Sequence, residues 1–396
     1  MAQSAARTGV QRRSLGIARY LLGCGALLGA LELSLRAVGF SDPRFHEPDR
    51  MLGKRLRAGC RGVQSREGFS HVSVNRHGFR GPDRSVAKPE DALRIAVMGD
   101  SFVEALHVEY EESLAGRLES VLGKEIPQRR VEVLNFGVSG YGTGQELMQY
   151  RSSVARFSPD VVLLALYTGN DLVENHPGLA RDRRRSFLLP GPAGEIHVPA
   201  PGGSMRRSKI FLEDRFRIAQ LRRVVKAERR AAGERAAIGL LTGQAGLAEL
   251  DAEGILGREA YAYDFWNYPL GPQAWEITQW LLNRFADEVR GSGARLLVAA
   301  VGTALQCHPD PVLTAHVIKS LGLSDLFGAE NAVEAACRAA GVPFIGLGKT
   351  MRAHAHDTGH YLYGFRNFKL GFGHWNAAGH AVATDHIAAR LLEVLK

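Results

Sequence analysis

Short, unbroken apolar runs that open at once on glycine or polar turn residues recur along the chain, and each reads as a buried parallel strand rather than a helix. They are Arg94-Ile-Ala-Val-Met98 before Gly99, Val131-Glu-Val-Leu134 before a Gly-rich turn from Gly137 to Gly144, and Val161 to Tyr167 before Thr168-Gly169-Asn170-Asp171. Helical spacing predicts helices over 111–122 and 145–155 between them. The alternation resumes with a helix over 273–289, a strand over 295–301, a helix over 332–340 and a strand over 343–347. A His-rich loop and a final helix over 377–395 follow. Strand, turn and helix repeated in this way imply an α/β fold, a parallel sheet covered by helices on both faces, with chemistry at the carboxyl ends of the strands.

Two segments stand outside that alternation. The N-terminus carries Arg7, Arg12, Arg13 and Arg19, has no acidic residue before Glu32, and holds an uncharged run from Tyr20 to Leu31. Twelve uncharged residues suit the apolar part of a signal peptide. A span of about 20 is reached if Arg19 and Glu32 snorkel at its ends. Small residues suited to cleavage occur too soon after Arg19, which favours an uncleaved anchor with a cytoplasmic N-terminus and the folded part beyond the inner membrane. The second segment is an insertion over 173–269, with an Arg-rich loop at 181–185, a Pro/Gly stretch over 190–203 and a helical segment from Leu212 to about Ala237. The expected organisation is a tip and anchor (1–40), a loop-rich region (41–93), the first half of the α/β domain (94–172), the basic insertion (173–269) and the second half (270–396).

Charge sharpens this picture. The formal balance is +9, and Arg181 to Arg235 alone holds 15 basic against 6 acidic residues, the whole of the excess. The folded remainder is balanced, so no nucleic-acid partner is expected, whereas the insertion suits an anionic polysaccharide or lipid headgroups. Cys24, Cys60, Cys307 and Cys337 contain no Cys-x-x-Cys pair, which excludes a disulfide-dense scaffold and a zinc ribbon; pairing of Cys307 with Cys337 stays open.

Three strand ends and one late loop supply the candidate chemistry: Gly99-Asp100-Ser101-Phe102, Asn135-Phe-Gly-Val-Ser-Gly140, Gly169-Asn170-Asp171 and His374-Trp375-Asn376. A serine hydroxyl becomes a nucleophile when a base takes its proton, and His374 is the candidate base for Ser101. The oxyanion formed on attack needs preplaced donors, which the N–H groups of Ser101 and Gly140 and the amide of Asn170 would supply. Taken singly, each has a bland reading: a Gly-Asp-Ser turn, a turn glycine, a helix cap, a structural histidine. Their order and their placement at strand ends favour the joint reading.

These four blocks resemble the SGNH/GDSL hydrolase superfamily, over about 94–172 and 270–395. The wording around Ser101, Gly140 and His374 is most similar to a membrane-anchored bacterial branch that includes esterases and alginate-type O-acetyltransferases. The resemblance implies a flavodoxin-like three-layer α/β/α sandwich, with Ser101 as nucleophile, Gly140 and Asn170 in the oxyanion hole, and His374 as base.

One position departs from that family. Members carry an Asp two or three residues before the histidine, where this chain has Phe372 and Gly371. The alternatives are a Ser-His dyad oriented by a backbone carbonyl, an acid from elsewhere, or a site without turnover. Asp357, in Asp357-Thr-Gly-His360, is a possible acid reaching across the loop. The cluster His354-Ala-His356-Asp357 reads as a solvated polar loop; no metal and no cofactor are expected. The expected activity is hydrolysis of an acyl ester, on a glycan of the envelope, through an acyl-Ser101 intermediate. O-acetyl transfer by the same residues, or a binding role without catalysis, are the alternatives.

Overall fold

The computed structural model describes residues 2–192, 194–201, 214–227, 229, 262–263, 265–323 and 325–396. The chain forms two compact units, Met1–Arg44 with Arg206–Arg230, and Phe45–Met205 with Ala231–Lys396. The insertion is thereby divided between them.

In the first unit, α1 (Ala2–Ala37) runs unbroken through Gly23, Gly25 and Gly29. Its stretch Arg19–Ala37 is long and apolar enough to cross a membrane and has no buried residue, with Leu22 and Leu27 each 74% exposed. Glu32 accepts hydrogen bonds from the backbone N–H groups of Arg217 and Ile218, both at 3.0 Å, and so caps a helix over 217–227. The ends expected for that helix, 212–213 and 230–237, lie outside the described residues.

The second unit begins with two antiparallel hairpins in the region expected to be loop-rich: β1 (His46–Asp49) with β2 (Gly53–Leu56), and β3 (Arg61–Gln64) with β4 (Ser70–Ser73). The α/β part follows as β5 (Ala92–Gly99), α2 (Ser101–Glu104), α3 (Leu114–Glu125), β6 (Arg130–Asn135), α4 (Thr143–Gln149), β7 (Val161–Tyr167) and α5 (Asp171–Glu174). A third hairpin, β8 (Phe187–Gly191) with β9 (Gly194–Val198), occupies part of the expected Pro/Gly stretch. Then come α6 (Gly271–Gly291), β10 (Arg295–Val301), α7 (Pro311–Ser320), α8 (Gly328–Ala339), β11 (Phe344–Gly346), α9 (Leu347–Thr358) and α10 (Ala377–Leu395).

The five sheet strands are all parallel, in the order β6-β5-β7-β10-β11. This is the flavodoxin-like order, with its switch point between β5 and β7. The period of two sorts each strand between the faces. Ala96 and Met98, Val162, Leu164 and Leu166, and Leu296 and Val298 meet α4, α6 and α8 on one side. Leu93, Ile95 and Val97, Leu163 and Ala165, and Leu297 and Ala299 meet α3, α9 and α10 on the other. The result is a three-layer α/β/α sandwich.

Two expectations change in detail. The His-rich loop is largely the helix α9, because Leu347, Met351 and Ala355 recur every four residues and bury one face; Gly359, at φ +69°, ends it. The helix expected over 145–155 is α-helical only to Gln149 and then widens into a π turn over Tyr150–Val154. No disulfide joins any of the four cysteines, Cys307 and Cys337 included.

One ion pair is sealed beneath the sheet edge. Arg94 and Glu132 are both almost wholly buried, with Nη2 of Arg94 2.7 Å and Nε 3.0 Å from Oε2 of Glu132. Nη1 also donates to the carbonyls of Phe157 and Val86, at 2.6 and 3.0 Å. Removing Arg94 leaves the buried Glu132 carboxylate with only the exposed Arg130, 3.1 Å from Oε1, so Arg94→Met is expected to cost about 3 kcal/mol in urea unfolding, with Arg94→Met/Glu132→Met recovering part of that loss.

Candidate active site

Ser101 follows β5 directly, at the first position of α2, and Asp100 caps that turn by accepting from the N–H of Phe102 at 2.9 Å. The turn after β6 is stitched to the same place by Asn135. Its Oδ1 accepts from the Gly137 N–H at 2.9 Å, and its Nδ2 donates to the Val103 carbonyl at 2.6 Å. Gly140 ends that turn at φ +70°, a left-handed conformation that suits glycine. Its carbonyl is held by Nη1 of Arg185 at 2.6 Å, while its N–H has no partner among the described residues. Asn170 lies at the N-terminal end of α5, after β7, and its side chain likewise makes no hydrogen bond among the described residues. His374 sits two residues before Asn376, whose Oδ1 caps α10 by accepting from the Ala378 and Gly379 N–H groups at 3.0 and 3.1 Å.

These four sequence-predicted residues line one cleft of about 590 Å³ at the carboxyl end of the sheet. Nε2 of His374 is 2.9 Å from Oγ of Ser101. The other ring nitrogen, Nδ1, is 2.9 Å from Oε2 of Glu67, and Oε1 of the same carboxylate accepts from the His374 backbone N–H at 2.7 Å. Glu67 was not among the residues singled out in the sequence, and it stands 307 positions before the histidine it serves. Asp357, the acid considered there, is exposed near the end of α9 with no hydrogen bond among the described residues. His356 is exposed on the same helix, and no ligand cluster forms around it among the described residues.

Glu67 lies in the turn between β3 and β4. Asn367 fastens that turn: its Oδ1 accepts from the Gly68 N–H at 3.0 Å, and its Nδ2 donates to the carbonyls of Ser65 and Gly68, at 3.0 and 2.8 Å. Gly373 makes the room, since a Cβ on it would stand 2.3 Å from Oε1 of Glu67. The side-chain volume missing at 373 is where the carboxylate fits. On the ring's flank, His107 stacks on His374 with centroids 4.0 Å apart and planes 16° apart, and Phe102 approaches at 5.2 Å.

The electrostatics follow from these contacts. Burial pushes the Glu67 carboxyl up, but the charge and hydrogen bonds of His374, together with His107, outweigh it and hold the group at about 2. Burial and the charge of His374 drive His107 well below the ordinary histidine range, so its ring stays neutral beside the histidine it stacks on. Glu67, His107 and His374 bring three ligand-type atoms within 4.8 Å of one another. A cation placed there would take the carboxylate and ring nitrogen that otherwise face each other.

A hydroxyl 2.9 Å from an imidazole whose far side faces a carboxylate can lose its proton as it attacks a carbonyl. The uncommitted N–H of Gly140 and amide of Asn170 border the space where the resulting oxyanion would form. The arrangement is that of acyl transfer.

No curated protein matches the chain. Among solved structures, an α/β-hydrolase enzyme from the metagenome of Lake Arreo, Spain, is 12% identical, with 75% of this chain and 94% of that one covered and a TM-score of 0.37. A GDSL-like lipase from Bacteroides thetaiotaomicron is 11% identical (76% and 89% covered, TM-score 0.34). An acetylxylan esterase from Geobacillus stearothermophilus is 10% identical (75% and 93% covered, TM-score 0.38). The assignment itself rests on the sequence model of the GDSL-like lipase/acylhydrolase family, which matches residues 97–382, from the end of β5 into α10. The chain therefore belongs to the GDSL-like lipase/acylhydrolase family.

Proposed function

We propose that this protein is a serine-dependent ester hydrolase that removes an acyl group, acetyl above all, from a hydroxyl of an envelope glycan. The observation that carries the reading is the unbroken relay from Ser101 Oγ through His374 to Glu67. Ser101 Oγ attacks the ester carbonyl while His374 Nε2 takes its proton. Glu67 stabilises the imidazolium that results, and the N–H groups of Ser101 and Gly140 with the Asn170 amide receive the oxyanion. Collapse expels the alcohol, which leaves with the proton from His374, and acyl-Ser101 remains. Water, deprotonated by the same histidine, then releases the acid and restores Ser101.

The residues that would run hydrolysis would equally run transfer to a sugar hydroxyl, and the acceptor decides between them. A carboxylate 2.9 Å from Nδ1 of His374 supports turnover over a non-catalytic binding role, for which the Arg-rich insertion remains the motive. The apolar stretch Arg19–Ala37 supports an anchored location, with the N-terminus in the cytoplasm and the ester chemistry on the outer side of the inner membrane.

Wild type is expected to release p-nitrophenol from p-nitrophenyl acetate, with Ser101→Ala lowering kcat by about 10³-fold or more. Equal rates for the two would discard the Ser101 mechanism.

Glu67→Gln is expected to lower kcat by about 10²- to 10⁴-fold, the range set by removing the acid of such a relay. An unfolded glutamate titrates near about 4.3, above the value in the folded site. Ionised Glu67 therefore favours the folded site fully above that unfolded value, and the contribution is lost as pH falls toward about 2. The acidic limb of the pH–rate curve at higher pH accordingly reports the base. In Glu67→Gln it should move to lower pH, because no carboxylate then favours the protonated ring. Asp357→Asn should leave both rate and profile as in wild type; a matching loss in that variant would transfer the acid's role to Asp357.

A further inference from the structure

Lys54 places an ammonium in the cleft with no hydrogen-bond or ion-pair partner among the described residues. Lys54 lies on β2, and its carbonyl accepts from the Tyr141 hydroxyl at 2.6 Å, which ties the strand to the turn that carries Gly140. Its Nζ stands 3.7 Å from where a Cβ on Gly140 would be, beside the proposed oxyanion donor. The Lys54 side chain is partly buried, and its ammonium makes no hydrogen bond or ion pair among the described residues.

The neighbouring charges are committed elsewhere. Arg185 holds Glu174 and the Gly140 carbonyl. Arg184 lies against Asp182, at 2.9 and 3.1 Å. Glu104 is engaged by His46 at 2.5 Å and by Ser139. Arg181 is the other cation at the rim whose side chain makes no hydrogen bond or ion pair among the described residues. The cleft lining thus carries Lys54, Arg181, Arg184 and Arg185 against Glu174 and Asp182 only. Burial pushes the Lys54 ammonium down, with Glu104 and Asp182 pulling it up and Arg185 and Arg181 adding to the fall. A lone, partly desolvated ammonium facing an open cleft is an unmet demand for an anion.

We propose that Lys54, with Arg181 at the rim, forms a subsite for an anionic substituent, a carboxylate or a phosphate, carried by the ester substrate next to the acyl group being removed. The inference rests on the hydrolase reading above and narrows its substrate to acidic glycan esters. Lys54 supplies the charge-assisted hydrogen bond at the inner end of the subsite, and Arg181 the attraction at its mouth. Asp182 and Glu174, each already paired with an arginine, set the side on which the anion does not sit.

The test compares substrates that differ in their anionic group: an O-acetylated methyl glucuronoside with a free carboxylate, the same compound as its neutral C6 methyl ester, and O-acetyl glucose 6-phosphate as the phosphate arm. Wild type should favour at least one anionic ester over the neutral one by about 10-fold or more in kcat/KM, the size of one charge-assisted hydrogen bond. Lys54→Met should bring that ratio close to one, Lys54→Arg should retain most of it, and added salt should shrink it. Which arm is preferred tells carboxylate from phosphate. Affinity measured calorimetrically on Ser101→Ala, for methyl glucuronoside and its methyl ester, reads the subsite without turnover. A charge preference there that vanishes in Ser101→Ala/Lys54→Met upholds the subsite even if wild type cleaves no ester, a result that would count against the hydrolase reading alone. A ratio near one in wild type, or an equal ratio in Lys54→Met with unchanged thermal unfolding, overturns the subsite while leaving the hydrolase reading in place.

Discussion

The Glu67 carboxylate holds His374 through two unlike hydrogen bonds, one to the ring at Nδ1 and one to the main-chain N–H of the same residue. The first selects the tautomer, with the proton on Nδ1 and the lone pair on Nε2 turned to Ser101. The second ties the backbone, so the ring cannot swing away with its loop. Stacking on His107 then leaves the imidazole little freedom to rotate out of the plane that meets Ser101. Geometry that three separate elements must supply is thus referred to one anion, itself set in place by Asn367 and by the space left at Gly373.

That anion is expensive to bury alone, and the site surrounds it with groups that make burial favourable. The charge and hydrogen bonds of His374 outweigh the rise that desolvation causes. His107 stays neutral and so lends an aromatic face without competing for the same charge. A similar logic runs along the other wall, where Glu174 is satisfied by Arg185 and the guanidinium in turn fixes the Gly140 carbonyl. Part of the basic insertion is therefore internal scaffolding: Arg185 is buried and shapes the turn bearing Gly140.

Legibility in the sequence followed the range of the interaction. Strands Val161–Tyr167 and Arg295–Val301 and helix Ala377–Leu395 coincide with their patterns, because each is set by local spacing and buried on a predictable face. Ser101, Gly140, Asn170 and His374 were readable because each sits at a strand end or helix cap that the parallel sheet brings to one edge. Helix α7 had a readable start that the pattern reading passed over: Asp310 before Pro311, with its carboxylate accepting from the Val312 and Leu313 N–H groups. Glu67 is different. Ser65-Arg-Glu-Gly68 signals a turn, but nothing near it says that the turn's tip meets a loop 307 residues later. The only trace is indirect, a glycine at 373 where a side chain would collide with a carboxylate.

The family match begins at residue 97, so the acid of the relay lies upstream of the region by which the family is recognised. Nucleophile and base travel with the shared core, whereas their third member is supplied by a peripheral ribbon joined to that core through Asn367. A change confined to that ribbon would shift or remove the carboxylate while leaving Ser101 and His374 where the sheet sets them.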